Sequence, residues 1–194
     1  MSILFQFDRI EFILFHVITI LWILEFVIFP SHFKGKDKNE TKTFLKILGV
    51  LLISHTLTIT FTVLGWFKIN NDLDKIWIYL SFFTYPVGLV LRYISIIYLG
   101  TYFTRDVEVS KDQNFVSKGP YRILRHPLYL GLYLLTISVP LFFANWLMTI
   151  VSMVIMFMIL NVRMQIEEKL MEETLRKAYT IWKKKRYRFI PFIY

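Results

Sequence analysis

Apolar residues dominate four long stretches of the chain, and shorter polar segments separate them. The first three stretches predict helices at about residues 10–29, 44–67 and 76–102. Each is long enough to cross about 30 Å of hydrocarbon, because a helix needs roughly 20 apolar residues to do so. A continuous apolar run then extends from Leu128 to Val162. The pattern therefore predicts membrane-spanning helices over most of the chain.

The fourth stretch, at residues 128–162, is too long for one upright helix and short for two. Pro140 and the pair Ala144–Asn145 lie near its middle. Proline has no backbone N–H and asparagine favours turns, so we expect a tight helical hairpin there. The predicted fold is an all-α integral membrane protein with five transmembrane helices, of which the last two form this short hairpin.

The expected organisation is a single membrane domain over residues 1–194. Three N-terminal spans occupy residues 1–102, a polar connection occupies 103–127, and a C-terminal helix and tail follow the hairpin at 163–194. Composition agrees, because 56% of the residues are hydrophobic and only 19% are charged, which excludes an ordinary soluble domain. With no cysteine, the chain forms no disulfide and no thiolate metal site.

Basic residues lie mainly on one side of the predicted bundle. Four lie in the first loop, five in the third and nine after Val162, whereas the other side holds only Arg9, Lys68 and Lys75. The positive-inside rule then predicts a cytosolic C-terminus and an N-terminus outside. The net charge of +9 is explained by anionic lipid headgroups beside the spans, so nucleic acid is not an expected partner. The opening residues lack the features of a signal peptide, so we expect the first helix to be retained.

Three ionisable side chains lie inside the predicted spans: Glu25 in the first, His55 in the second and Arg92 in the third. Charges within a membrane usually pair with each other or line a polar interior. We therefore expect Arg92 either to snorkel to the interface or pair with Glu25 and hold the bundle together, or to line an interior pocket. His16 is expected to be a bundle histidine and not a metal ligand, because no cluster at ligand spacing accompanies it.

The segment GPYRILRHPLYLGLY, which begins at Gly119, brings polar and aromatic groups to the start of the fourth helix. Pro127 suits a first helical turn, so this helix is predicted to begin near His126. Helix N-termini attract carboxylates, and the Tyr121, His126 and Tyr129 rings offer faces for a flat heterocycle. The alternative is that Tyr129 and Tyr133 anchor the helix at the membrane interface and the arginines only set topology.

Arg163 and Glu167 stand four residues apart, on one face of a helix that continues out of the last span. They are either an ordinary surface pair or part of a site, since they lie within reach of the start of the fourth helix if the hairpin packs tightly. Glu168, Glu172 and Glu173 are expected to be solvated or paired with nearby lysines.

These residues carry a family resemblance. The motif GPYRILRHPLYLG, followed after one apolar hairpin by R-x-x-x-E-E and then by the tail RYRFIP, resembles the isoprenylcysteine carboxyl methyltransferase family of membrane enzymes. The resemblance covers about residues 115–191. The R-H-P-x-Y-x-G motif is shared with a wider superfamily that includes phospholipid N-methyltransferases and, more loosely, some sterol reductases.

The resemblance implies transfer of a methyl group from S-adenosylmethionine to the C-terminal carboxylate of a prenylated cysteine that arrives through the bilayer, with S-adenosylhomocysteine as product. It implies that Arg163 binds the substrate carboxylate and that Arg163 and Glu167 are the catalytic residues. The implied cofactor-binding residues are Gln113, Asn114, Phe115, Val116, Tyr121, His126, Pro127, Leu128, Tyr129 and Glu167.

Several alternatives stay open on the sequence. The seven glycines never form G-x-G, so a Rossmann-type cofactor cradle is excluded and any nucleotide-like cofactor must lie at helix ends and loops. Carboxyl methylation is the first hypothesis, and lipid N-methylation is the second. A non-enzymatic helical bundle and a sterol-type reductase are further alternatives. The oligomeric state is left open.

Overall fold

The described residues of the chain fold as a bundle of five α-helices. The computed structural model describes residues 9–29, 38–69, 73–103 and 115–193. The helices are α1 (Arg9–Ile28), α2 (Lys38–Val63), α3 (Leu73–Leu99), α4 (Pro127–Phe142) and α5 (Trp146–Lys183). Short 3₁₀ turns lie at Gly100–Tyr102 and Gly119–Arg122. Within these ranges there is no β-strand, only two isolated bridges. The predicted all-α class is confirmed.

Four of the described helices are long and apolar enough to cross a membrane: α1, α2, α3 and α5. The fourth helix in the chain, α4, has only 16 residues, which is shorter than a full span. The helix α2 begins at Lys38, six residues before the predicted boundary at residue 44. The difference arises because the apolar pattern marks only the part of a helix that lies in hydrocarbon. The backbone hydrogen bonds of α2 extend beyond it into polar residues.

The break between α4 and α5 lies where the sequence predicts one. The chain turns at residues 143–145, and Ala144 adopts a positive φ of 48°. Asn145 caps α5, because its side-chain oxygen accepts a hydrogen bond from the Met148 N–H at 3.1 Å. Its amide nitrogen donates to the Trp66 carbonyl after α2 at 3.0 Å. The turn is therefore attached to the neighbouring helix end.

Two glycines allow α3 and α4 to cross in close contact. A Cβ added to Gly88 would lie 2.9 Å from the Gly131 carbonyl oxygen, and a Cβ on Gly131 would lie equally close to that of Gly88. Two hydrogen bonds support this crossing, one from the Ser81 hydroxyl to the Ser138 carbonyl (2.8 Å) and one between the Thr84 and Ser138 hydroxyls (2.6 Å). Small residues at a helix crossing give close backbone packing where no hydrophobic force drives association.

A buried ion pair joins α1 to α3. The guanidinium of Arg92 binds the Glu25 carboxylate through two nitrogens, with the Nη2–Oε1 distance at 2.7 Å. Glu25 is fully buried and Arg92 is 6% exposed. The bidentate geometry satisfies both charges, which offsets part of the large cost of removing them from water. The predicted Glu25–Arg92 pair is confirmed.

Two contacts fix the register of α2 against α5. The hydroxyls of Ser54 and Ser152 lie 2.6 Å apart in the buried interface, and the Asn145–Trp66 bond ties the far ends together. Because the two helices run in opposite directions, residues further along α2 face residues earlier in α5.

Replacing Gly131 by alanine should destabilise the bundle by about 1–3 kcal/mol, since the new methyl group would overlap the Gly88 carbonyl and the Arg92 backbone. Gly49→Ala in α2 is the matched control, because a Cβ there meets nothing within 4 Å. Thermal unfolding in detergent would measure both. Equal melting temperatures for the two variants would contradict the proposed role of the crossing.

Candidate functional site

The hydroxyl of Tyr129 bridges the two residues that the sequence singles out. It donates to the Glu167 carboxylate at 2.7 Å and accepts from Arg163 Nε at 2.9 Å. The Arg163 guanidinium also lies 6.0 Å from the centre of the Tyr129 ring. Arg163 and Glu167 are therefore held in one unit by a group from another helix.

Local sequence explains this arrangement. Pro127 occupies the first turn of α4, and His126 precedes it as the N-cap residue, so Tyr129 projects from the beginning of that helix. Arg163 and Glu167 lie one turn apart on α5, and therefore on the same face. The His126 ring stacks on Tyr129 with centroids 5.5 Å apart. The N-terminus of α4 and this face of α5 thus meet at the Tyr129 hydroxyl.

An apolar cavity of about 60 Å³ opens beside Arg163. All five helices contribute to its wall. Its polar lining comes from Arg92, Tyr129 and Arg163, and the apolar lining includes Phe26 on α1 and Leu51 on α2. Arg163 itself is only 4% exposed. The charge of Arg92 is matched by Glu25, so Arg163 is the cation that gives this otherwise hydrocarbon-like space its preference for a ligand with one anionic end and one apolar end.

Glu168 is the centre of a polar cluster. Its Oε1 lies 2.9 Å from Arg125 Nη1, 3.0 Å from His126 Nε2 and 3.2 Å from Arg188 Nε. The expectation that Glu168 is solvated or paired with lysines is wrong, because its position on α5 turns it toward the loop before α4. Glu172 and Glu173 do bind lysines, Lys183 and Lys169 respectively.

The C-terminal tail pairs with the loop before α4. The backbone N–H groups of Arg125 and His126 donate to the carbonyls of Tyr187 (2.8 Å) and Arg188 (3.2 Å), and the Tyr187 N–H donates to the Ile123 carbonyl (3.0 Å). Phe189 follows and is fully buried. The tail therefore holds the His126 backbone in place, and Arg188 reaches Glu168 from this strand-like pairing.

The approach segment packs on the end of α5. Phe115 stacks on Trp182 with centroids 5.2 Å apart, and the Trp182 indole N–H donates to the Val116 carbonyl at 3.2 Å. Tyr179, which is fully buried, adds a third ring beside these two. Gln113 and Asn114, the other two predicted cofactor residues of this segment, lie outside the described residues.

Tyr121 is buried under the same loop, and the Arg186 Nε donates to its carbonyl at 2.6 Å. Burial, together with the nearby negative charge of Glu167, raises the pKa of the Tyr121 phenol well above its usual range.

The structure therefore brings together His126, Tyr129, Arg163 and Glu167. Pro127 is buried at the helix start, and Leu128 lines the cavity beside Arg163. Sequence reasoning missed Arg188 and Trp182 as partners of this region. The tail motif RYRFIP carries a signal for Arg188, since it combines arginines with an apolar residue that needs burial. In the described part of the chain, no group of three potential metal ligands occurs.

Comparison with known proteins identifies relatives of this chain. Residues 80–173 match the family model described as the isoprenylcysteine carboxyl methyltransferase (ICMT) family. A probable protein-S-isoprenylcysteine O-methyltransferase from Oryza sativa subsp. indica is 24% identical over 126 residues, which is 63% of this chain and 66% of that protein. An uncharacterized Bacillus subtilis protein, YpbQ, is 27% identical over 84 residues, 43% of this chain and 50% of its own length.

The fold also matches a solved structure, that of the eukaryotic intramembrane Ras methyltransferase ICMT. The TM-score is 0.61 at 20% sequence identity, and the match covers 94% of this chain and 67% of the other. The match to the rice protein spans just under two thirds of that relative's length. These findings confirm the predicted family resemblance and, with the apolar helices, a multi-pass membrane protein.

Replacing Glu168 by alanine should destabilise the protein by about 3 kcal/mol, because Arg125, His126 and Arg188 would lose a shared, mostly buried anion. Glu173→Ala is the control on the same helix, since Glu173 is exposed and makes only a long ion pair of 3.9 Å with Lys169. Thermal unfolding in detergent would compare them. A Glu168 variant as stable as the control would contradict the role assigned to the cluster.

Proposed function

We propose that this chain, whose residues 80–173 match the model of the isoprenylcysteine carboxyl methyltransferase family, methylates the C-terminal carboxylate of a prenylated cysteine with S-adenosylmethionine as donor. The observation that carries the proposal is Arg163, which borders an apolar cavity while Tyr129 links it to Glu167. A prenylated cysteine has the matching chemistry, since a carboxylate lies at one end and a long hydrocarbon at the other.

The residues of the site fit the proposed cofactor. Glu167 would receive the ammonium group, and the start of α4 at Pro127 would favour the carboxylate. The aromatic side chains of Tyr121, His126 and Tyr129 would contact the flat adenine. When bound, S-adenosylmethionine supplies an electrophilic methyl group on a sulfonium.

Arg163 would orient the substrate carboxylate. A carboxylate has a pKa near 4 and is ionised at physiological pH, so no general base is needed to prepare it as a nucleophile. The task of the protein is then positioning, from which large rate factors arise in reactions of two substrates. The Tyr129–Glu167 unit holds the Arg163 side chain in one orientation, and burial of Arg163 strengthens its attraction for an anion.

The membrane arrangement in this proposal follows the charge bias of the sequence. The C-terminus and the site would face the cytosol, the source of the cofactor, and the N-terminus would lie outside. In this arrangement α4 and α5 form the hairpin that completes five spans, and the lipid part of the substrate enters from the bilayer between helices. A phospholipid amine fits the cavity less well, because its ammonium would lie near the Arg163 cation.

The test is binding of S-adenosylmethionine to the purified full chain, followed by methyl transfer to N-acetyl-S-farnesylcysteine or to phosphatidylethanolamine. We expect calorimetric binding of the cofactor and methylation of the farnesylcysteine alone. Absence of cofactor binding would contradict the proposal, and methylation of phosphatidylethanolamine alone would replace it with lipid N-methylation.

Arg163→Ala should lower kcat/KM for the farnesylcysteine about 100-fold or more, since a charge-assisted pair of hydrogen bonds contributes about 3 kcal/mol. Cofactor affinity should stay within about threefold of wild type, because the Tyr129–Glu167 hydrogen bond is kept. Arg122→Ala is the control, since Arg122 is exposed. Radiolabelled methyl transfer and calorimetry would measure the two quantities; wild-type turnover in the Arg163 variant would remove this residue from its proposed role.

A further inference from the structure

The segment that follows α5 carries an exposed apolar surface. Phe192 is 78% exposed, Ile193 is 80% exposed and Tyr187 is 41% exposed. Ile123, in the loop before α4, is also exposed, and its carbonyl accepts the Tyr187 N–H at 3.0 Å. We call these four residues the tail surface. The proposed methyl transfer uses none of them.

Phe192 holds a backbone conformation that a bulky side chain rarely adopts. Its φ is 65°, at the third position of a turn that the hydrogen bond from the Ile193 N–H to the Ile190 carbonyl closes at 3.2 Å. Glycine is favoured at such a position, because a Cβ is crowded there. The ring packs on Tyr187 with centroids 5.3 Å apart but stays mostly exposed. The described protein therefore gains little burial from this strained residue.

The tail runs back along α5 toward the hydrocarbon. Phe189 is fully buried and packs on Tyr133 of α4 and Phe157 of α5, with centroids 5.5 and 5.9 Å apart. Residues 146–162 of α5 include no charged residue. Phe157 lies six residues before Arg163, which is about 9 Å along the helix on its apolar side. The tail thus reaches the level of the hydrocarbon beside the α4–α5 hairpin.

The charges of the tail suit the boundary of an anionic membrane. Residues 184–193 include four basic residues and no acidic one. Arg186 and Arg188 bind groups of the protein itself, whereas Lys184 and Lys185 are exposed. Exposed lysines followed by an apolar segment match the order of a bilayer surface, in which anionic headgroups lie outside the hydrocarbon.

We infer that the tail surface inserts into the membrane–water interface beside the α4–α5 hairpin, with Lys184 and Lys185 against anionic lipid phosphates. Apolar side chains gain free energy by leaving water, and tyrosine is favoured at this interface. A protein partner is the other possible occupant. The depth of Phe189 favours lipid, because a water-soluble partner would not reach the level of the hydrocarbon. This inference goes beyond the proposed function and does not depend on methyl transfer.

Insertion of the tail would also hold the loop before α4 at a fixed depth. The backbone N–H groups of Arg125 and His126 donate to the carbonyls of Tyr187 and Arg188. The same segment would then be bonded to this loop on one side and held by lipid on the other. The tail surface is therefore an anchor that the membrane itself provides for the loop.

The first test measures the depth of Phe192. The chain has no cysteine, so Phe192→Cys places a single nitroxide label in the full chain, in nanodiscs of phosphatidylcholine and phosphatidylglycerol. Paramagnetic resonance compares collisions with oxygen, which enters hydrocarbon, and with a water-soluble nickel chelate. We expect an oxygen-to-nickel ratio about fivefold or more above that of Glu173→Cys, since apolar residues of an interfacial segment leave water.

Two labelled positions on α5 set the scale of this measurement. Glu173 is exposed and lies ten residues beyond Arg163, whereas Val154 is 52% exposed and lies nine residues before it, within the uncharged part of the helix. Val154→Cys should give the highest oxygen-to-nickel ratio, and the ratio at Phe192→Cys should lie between those of the two references. All three substituted side chains are exposed, so folding should be retained.

The second test concerns the lysines. Lys185→Glu, combined with the label at Phe192→Cys, should lower the oxygen-to-nickel ratio about threefold in nanodiscs that contain phosphatidylglycerol, because repulsion replaces attraction to the headgroups. In nanodiscs of phosphatidylcholine alone the change should be small. Lys177→Glu is the matched control, since Lys177 is also exposed and the change in charge is the same, but it lies on α5 before the tail.

The outcomes are distinct. A ratio at Phe192→Cys equal to that at Glu173→Cys in both kinds of nanodisc overturns the inference. A label that neither oxygen nor nickel reaches also overturns it, because the tail surface is then covered by protein. Equal effects of Lys185→Glu and Lys177→Glu overturn the role of the lysines. Failure of the wild-type protein to methylate farnesylcysteine overturns the proposed function and leaves the depth measurement unaffected.

Discussion

The rest of the structure depends on the close crossing of α3 and α4 at two facing glycines. The backbone and Cβ of Arg92 lie 3.0 Å from where a Gly131 side chain would begin. The turn of α3 that carries Arg92 therefore packs directly on the turn of α4 that follows Tyr129. Arg92 binds α1 through Glu25, and Tyr129 binds α5 through Arg163 and Glu167. One backbone contact thus sets the distances between polar groups on four helices.

Among the described residues, the acidic side chains near the site each have a polar partner. Glu25 binds Arg92, Glu167 accepts from Tyr129, and Glu168 is shared by Arg125, His126 and Arg188. In a medium of low dielectric constant, such contacts are strong when satisfied and costly when broken. The groups are consequently fixed before any ligand arrives, and pre-organised dipoles and charges are the form in which a protein stabilises a reacting pair most effectively.

The sequence predicts two kinds of feature in this structure. Apolar runs predict where helices lie, and the cost of a charge in hydrocarbon predicts which charges pair. The apolar run at the N-terminus predicts α1 to within one residue of each end, and the rule that intramembrane charges pair predicts Glu25 with Arg92. The bridge at Tyr129 and the cluster at Glu168 could not be predicted in this way. Their partners lie 20 to 43 residues apart in the chain, and only the tertiary packing of α4, α5 and the tail brings them together.

The helical course of α5 from its cap at Asn145 to Arg163 has a consequence for where the site lies in the bilayer. Arg163 is 18 residues beyond Asn145, which corresponds to about 27 Å of helix, close to the hydrocarbon thickness of about 30 Å. If the turn at Asn145 lies at one boundary of the hydrocarbon, Arg163 lies near the other, where a water-soluble and a lipid-soluble molecule can both arrive. The length of a single helix, matched to membrane thickness, then sets the depth of the site, and a thinner or thicker membrane would shift Arg163 relative to the headgroups.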